Sequence, residues 1–480
     1  MRNWNKGNLG VVILAGAVLI AGCGASGGQS AGLSTQAGQS AETLSRTDSD
    51  MGNEIQESHG MAGEDQKEDI SLQESEEKSM TQEKIDAAMR EAEAYIRSLT
   101  IESTVNVPKE IVADEKKYFT WDNEKRTPGD KPYLFDWSYY NGVVMEGLYD
   151  IYEVDPEANS AYLDYVKEYL DAMIVSDESE HKSLSPNLAG YVDRHGADCY
   201  KTAALMVRVG MSEKEADYLQ ICADLYRDLT NTAYTNSTGH IVPLEYTEES
   251  LGYNYWHGWA DDKAPQYKVW LDGIYMLQPF ISHYAAYTED SEQIALVQQR
   301  LDWVSKTLLA PDGMYWHAAN SAEDLCKYHW TRAMGWYGMA MVDVMEVLPE
   351  EYMEERKEAL KLFVDGVLKY QDESGLWANV ADWKVTETNR LEVSGTSMMV
   401  YTILKGVRNG WLDESYKETA VRAFVAMTEL KLDEKGLHDI YFKATANNTD
   451  NYQNLKDYLT DEGKGSGPFI MAYSEMLRLV

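Results

Sequence analysis

Four short segments of the chain gather the side chains with the most chemical reach. They are Phe135-Asp136-Trp137-Ser138-Tyr139-Tyr140-Asn141-Gly142, Trp270-Leu271-Asp272-Gly273-Ile274-Tyr275-Met276, Thr331-Arg332-Ala333-Met334-Gly335-Trp336 and Ser394-Gly395-Thr396-Ser397-Met398. Each reads as the start of a helix. An aspartate there has two possible uses, as an N-cap or as a positioned acid and base. Arg332 adds a planar, permanently charged fork suited to carboxylates and hydroxyl pairs. The chain shows no metal-ligand cluster and no glycine-rich phosphate loop, so the chemistry open to these residues needs neither metal nor cofactor. Its four cysteines are Cys23, Cys199, Cys222 and Cys326. Beyond the first, their odd number and wide spacing argue against a disulfide framework, and the three read as buried thiols.

The aromatic residues point to sugar. There are 13 Trp and 33 Tyr against 7 Phe, a bias toward rings that pair an apolar face with a hydrogen-bonding edge. Many such rings fill helical cores; those placed in loops, Trp256, Trp259, Tyr315, Trp316, Trp330, Trp336 and Trp377, are the better candidates for contact. The formal charge of −37 excludes nucleic acid as a partner, because phosphate binding needs a basic stripe. An anionic sugar would require a locally cationic pocket.

The elements that must position these segments are helices. Ile85, Met89, Ala92, Ile96 and Leu99 recur at steps of four and three, as do Trp270, Ile274, Leu277, Ile281 and Tyr284, and then Tyr337, Met341, Val344 and Leu348, and Val400, Leu404, Val407 and Trp411. No run of β-branched residues is long enough for a central sheet, which disfavours an α/β solute-binding lipoprotein. A longer period overlies the short one. Asp312-Gly313-Met314-Tyr315, Asp372-Glu373-Ser374-Gly375-Leu376-Trp377 and Asp433-Glu434-Lys435-Gly436-Leu437-His438 share one pattern, with glycines 62 and 61 residues apart. That interval holds one helical hairpin. Gly239 stands 74 residues before Gly313, which fits a further unit with an insertion within residues 248–266. Six units fill the 366 residues from Glu115 to Val480. The fold expected is therefore all-α, a six-hairpin (α/α)6 barrel, with alternate helix starts on one rim where the four segments converge.

The amino terminus reads as an address. Arg2 and Lys6 precede an apolar run from Leu9 to Ala21, and Ile20-Ala21-Gly22-Cys23 closes it as a lipobox. The run is shorter than the roughly 20 residues of a spanning helix, so residues 1–23 are expected to be a lipoprotein signal peptide with Cys23 the lipidation site. Residues 24–80 are polar and acidic, poor in rings, and suit a disordered tether; Asp48 to Lys78 alone hold eleven acidic and two basic side chains. The barrel occupies 81–480. The expected location is extracytoplasmic, lipid-anchored to the outer face of a bacterial membrane.

Taken in order and at these distances, the four segments resemble the unsaturated rhamnogalacturonyl hydrolases of glycoside hydrolase family 105, related to the unsaturated glucuronyl hydrolases of family 88. The likeness runs from Tyr133 to the carboxyl terminus, through Val407-Arg408-Asn409-Gly410-Trp411-Leu412 and Gly465-Ser466-Gly467-Pro468-Phe469, and is most specific at Trp270 to Met276. It implies the same six-hairpin barrel. It also implies a hydrolase that hydrates the C4=C5 double bond of an unsaturated uronic acid at the non-reducing end of pectin-derived oligosaccharides. By the family's pattern Asp272 is the acid and base, held protonated by burial and a neighbouring carboxylate. Asp198 takes the second carboxylate position, with Asp193 its rival. Asn141, His317, Arg332 and Trp336 are the implied substrate-binding residues; no metal or cofactor is implied. The leaving sugar stays open, as do action on glycosaminoglycan fragments and a non-catalytic sugar-binding role for the same barrel. An epimerase-type α/α barrel is disfavoured because the nine histidines form no pair at helix starts.

Overall fold

A computed structural model of the chain describes residues 80–107, 131–176, 182–184, 196–231, 269–319, 322–443, 452–453 and 455–479. The stretch read as a signal peptide, Cys23 and residues 24–79 of the expected tether lie outside the described residues, as do Asp193, Gly239, Trp256 and Trp259. The helices are α1 (Gln82–Leu99), α2 (Tyr139–Val154), α3 (Ser160–Ala172), α4 (Lys201–Ser212), α5 (Ala216–Asn231), α6 (Leu271–Thr288), α7 (Ser291–Thr307), α8 (Thr331–Met345), α9 (Glu350–Leu368), α10 (Val393–Arg408), α11 (Lys417–Lys431) and α12 (Gly463–Leu477).

Two kinds of helix alternate along the chain, and their composition decides which layer each joins. In α8 every residue from Thr331 to Met345 is buried, whereas α9 buries only Met353, Arg356, Leu360, Phe363, Val364, Gly366 and Val367. A helix apolar or paired on all sides belongs inside; one with a single apolar stripe belongs outside. The inner helices α2, α4, α6, α8, α10 and α12 pack side by side in that order, and α12 returns to α2. This is a closed (α/α)6 ring, and the predicted stripes pack between its two layers: Tyr284 of α6 meets Tyr226 of α5, and Tyr337 of α8 meets Phe363 of α9.

The count of six hairpins holds, but their phase along the chain differs from the sequence reading. The outer partner of α12 is α1, which packs on α12 and α11. Tyr95 hydrogen-bonds Ser466 at 2.9 Å and meets Phe469 edge-on at 5.8 Å. The sixth hairpin is thus split between the first and last described helices, a pairing that a repeat count starting at Glu115 does not reach.

The repeated glycine pattern marks the turn that leaves each outer helix. Gly313 and Gly375 both sit at φ +95° and Gly436 at φ +122°, a region open to glycine and strained for other residues. At Gly366, on α9, an added Cβ would lie 2.0 Å from the carbonyl oxygen of Gly313 in the preceding repeat. Replacing Gly366 with Ala is therefore expected to cost about 1–3 kcal/mol through overpacking against backbone. Gly410, at φ +69° with open space around its Cβ position, should lose only about 1–2 kcal/mol on the same change. Urea unfolding of the two variants checks the order.

Candidate active site

The inner helices all enter the ring at one rim, and short strands tie that rim together. Val269–Trp270 pairs with Ala318–Ala319, which pairs with Leu325–Cys326; Trp377–Ala378 pairs with Leu391–Glu392, and Ile440–Tyr441 with Tyr458–Leu459. Trp330 bridges Val380. Three of these connections run straight into the first turns of α6, α8 and α10. Helix N-termini carry partial positive charge, so their convergence favours an anionic ligand at this mouth.

Asp272 is the second residue of α6, behind Trp270 in the N-cap position. It is not a cap. Its Oδ2 lies 3.1 Å from Nε2 of His317, and the residue is 8% exposed. The loop carrying His317 is fixed to the same helix start, since the Leu271 N–H donates to the His317 carbonyl at 3.1 Å and the His317 N–H to the Tyr328 carbonyl at 3.0 Å. On its other side Nδ1 of His317 meets the Tyr452 hydroxyl at 2.6 Å. Burial lowers the pKa of His317, against the pull of Asp272, so the ring is neutral at physiological pH.

Asp198 comes from the 3-10 turn Gly196–Tyr200 ahead of α4. Burial first, and the charge of Asp272 second, push its carboxyl up to about 7, against the counter-pull of Lys464. Like charges crowded into a dry pocket cannot both ionise cheaply. The Tyr139 hydroxyl, at the start of α2, sits in the same field: burial and then the charge of Asp198 hold it well above the usual phenol range, with Arg332, Glu462 and Asp272 also acting on it.

Two cations complete the cluster. Arg332 is 1% exposed, and its fork donates to the Tyr441 carbonyl and, at 2.6 Å, to the Lys443 carbonyl, while the guanidinium lies 4.3 Å above the Trp330 ring. Its described hydrogen-bond partners are neutral carbonyls, so it is not a surface ion pair, and its charge remains for an anion. Lys464 went unnoticed in the sequence. It is buried in the first turn of α12, with Nζ 2.9 Å from Glu462 Oε1 and 4.3 Å from the centre of the Phe442 ring. Burial lowers its pKa, and Arg332 adds to this against Glu462 and Asp198. A lysine at a helix N-terminus opposes the dipole, and that breach of the usual rule is the signal from which it could have been found.

The remaining sequence candidates support the mouth. The Asn141 amide donates to Asp136 Oδ1 at 2.7 Å and to the Tyr133 carbonyl at 3.2 Å, holding the strand-like approach to α2. Trp336 is 1% exposed and stacks on Tyr275 at 5.0 Å with Tyr139 at its edge; it is floor and wall. The loop rings require correction. Tyr315, Trp330 and Trp377 are wholly buried: Tyr315 packs on Tyr337 and Phe363, and the Trp377 indole N–H binds the Val367 carbonyl at 2.8 Å. Trp316 is partly buried and stacks on His329 at 4.2 Å. A repeat turn that reads as loop packs its ring inward between the helix layers. Cys222 and Cys326 are buried free thiols. Among the described residues no group of three or more His, Cys, Asp or Glu is arranged to hold a metal ion.

Comparison with known proteins bears on the whole ring. The profile described as Glycosyl Hydrolase Family 88 matches residues 111–480. A 24.9 kDa protein of the picA locus of Rhizobium radiobacter is 34% identical over 179 residues, 34% of this chain and 77% of the relative. An unsaturated 3S-rhamnoglycuronyl hydrolase of Formosa agariphila is 24% identical over 229 residues, covering 44% of this chain and 58% of that protein. Among solved structures, a family 105 glycoside hydrolase of C. acetobutylicum superposes with a TM-score of 0.59 at 25% identity, over 72% of this chain and 94% of that one.

The raised carboxyl at Asp198 has a thermodynamic signature. Its value near 7 exceeds the ordinary 3.8, so the folded state holds a proton that the unfolded chain gives up. That costs stability progressively as pH climbs from about 4 to about 7. Asp198→Asn removes the cost, and its melting temperature relative to wild type is expected to rise across that window and then level off. Thermal unfolding measured from pH 4 to 8 checks this; a constant difference would contradict it.

Proposed function

The chain belongs to glycosyl hydrolase family 88, and on that premise we propose that it removes a 4,5-unsaturated uronic acid from the non-reducing end of lyase-generated rhamnogalacturonan oligosaccharides by hydrating the C4=C5 bond. The observation that carries this reading is the carboxyl pair at the mouth: Asp198, pushed up to about 7, shares a pocket with the His317-bound Asp272. Toward neutral pH the site therefore still holds a proton, on Asp198. Asp272 delivers it to C4 of the alkene, positive charge develops at C5 beside the ring oxygen, and water adds there while returning a proton to the pair. C5 then bears both a hydroxyl and the ring oxygen. This hemiketal opens, and C1 expels the remaining sugar as an alcohol, so one water is consumed and the carboxyls end as they began.

Arg332 and Lys464, with the helix N-termini around them, supply the positive field that the uronate carboxylate needs. Asn141 and Trp336 hold the walls to which the ring must fit. A relative named for an unsaturated rhamnoglycuronyl substrate favours a rhamnose-containing leaving side over a hexosamine.

The direct test follows the ultraviolet absorbance of the conjugated uronide on incubation with purified protein. Fragments made by lyases from rhamnogalacturonan should lose absorbance and glycosaminoglycan fragments should keep it. The rate should fall as pH rises through about 7, where Asp198 gives up its proton, and Asp272→Asn should cost at least about 10² in kcat. Reversed preference would move the substrate class to glycosaminoglycans, and loss with neither would make the barrel a sugar-binding protein.

We also propose that Cys23 carries the lipid that retains the protein at the outer face of the membrane, on the strength of the lipobox. Wild type is expected to partition into a detergent phase and Cys23→Ser into the aqueous phase, with equal turnover.

A further inference from the structure

His317 is wholly buried, and both its nitrogens are engaged: Nε2 with Asp272 Oδ2 at 3.1 Å, Nδ1 with the Tyr452 hydroxyl at 2.6 Å. The same hydroxyl lies 3.3 Å from Sγ of Cys326. Four groups thus form one line from the mouth into the protein. The imidazole is neutral, because burial disfavours its charged form and the nearby Arg332 charge opposes it as well. A neutral ring has one proton to place.

The two placements differ in what they allow Asp272 to do. With the proton on Nδ1, His317 donates to Tyr452, Tyr452 donates to Cys326, and the Nε2 lone pair faces Oδ2. That suits only a carboxyl protonated on Oδ2, and each time Asp272 gave up that proton two buried lone pairs would confront each other. With the proton on Nε2, Oδ2 accepts whether Asp272 is charged or not. Nδ1 accepts from Tyr452, whose oxygen in turn accepts from the Cys326 thiol, and no buried group goes unpaired in either state. Only this second arrangement persists through a cycle in which Asp272 first gives and then regains a proton.

We propose that Tyr452 is a positioning residue of the active site, whose hydroxyl holds His317 with its proton on Nε2 and thereby confines the proton handled by Asp272 to Oδ1. His317, Tyr452 and Cys326 each keep their own proton throughout; the one that moves passes only between Oδ1 and the substrate or water. The packing supports a fixed hydroxyl. Tyr452 is 1% exposed, its ring stacks on Tyr328 at 4.0 Å with 15° between planes, and Tyr328 meets Trp383 edge-on at 5.9 Å. Cys326 lies in the strand paired with Ala318–Ala319, immediately after His317, so thiol and imidazole are carried by one ladder.

The inference rests on the reading that Asp272 handles the proton, and its test is chosen to fail separately. Nitrogen-15 spectra of the histidine-labelled protein, with His317 identified by the signals lost in His317→Gln, should show a bare Nδ1 and a protonated Nε2 on both sides of the activity transition. A proton on Nδ1, or on both nitrogens, would overturn the proposal. Tyr452→Phe should lower kcat by roughly ten- to a hundredfold with KM within about twofold. An unaltered kcat in Tyr452→Phe would also overturn it; should that variant fail to fold, the wild-type spectrum decides alone. Because the spectrum needs no substrate, an enzyme inert toward unsaturated uronides would sink the proposed reaction and leave the tautomer assignment standing.

Discussion

One constraint of direction organises this molecule. Every inner helix begins at the same rim, because every outer helix carries the chain back to the far end before the next begins. Asp198, Asp272, Arg332 and Lys464 lie up to 266 residues apart in sequence, yet each occupies a helix start or the turn before one. Parallel helices in a ring bring such positions together without any long connection. The aligned backbone dipoles do the rest, since the end that gathers these four groups is also the end that welcomes negative charge.

The far half of the ring interior shows what it costs to fill a wide barrel with polar groups, and how that cost is met. Glu146 pairs with Lys201 and Arg208, and Arg208 reaches Asp150 at 2.6 Å. Asp343 and Glu346 share Lys405 at 2.8 and 2.9 Å, and Arg408 binds Glu475 at 2.7 Å. Here each charge has a partner of opposite sign, which offsets much of the cost of burying it, although Asp150 Oδ2 and Asp343 Oδ2 accept no hydrogen bond from the described residues. At the mouth Arg332 is held by neutral carbonyls, so its positive charge survives where a ligand can use it. The Tyr275–Trp336 stack separates the two regimes, with the Tyr275 hydroxyl turned toward Glu146 at 3.4 Å.

Much of this was legible in the residues. Helical periodicity foretold that α6, α8 and α10 are helices with an apolar stripe for a second layer, and the spacing of Gly313, Gly375 and Gly436 revealed the hairpin unit because a positive φ at one recurrent turn leaves few alternatives to glycine. Asp272 was legible through the resemblance carried by Trp270 to Met276; by residue type alone it could have been an N-cap, and the structure puts Trp270 in that position. What stayed hidden depended on distance in space. Tyr315, Trp330 and Trp377 look like exposed loop rings until the layers close over them. Lys464 carries only the faint signal of a cation at a helix start and Tyr452 none; they matter through Asp198 and His317, which stand more than a hundred residues away. The role of α1 was illegible for the same reason, since a repeat read forward along the chain cannot show that its last member borrows from the beginning.

That borrowing has a consequence for how the protein comes into being. A ribosome releases α1 first, yet the surface on which it docks is built from α11 and α12, the last helices made. Until then its apolar stripe has no native partner, while five hairpins can assemble behind it in the order of synthesis. Ring closure is therefore a single late event of very long sequence separation, the sort of step that sets the pace of folding and exposes unfinished surface to aggregation.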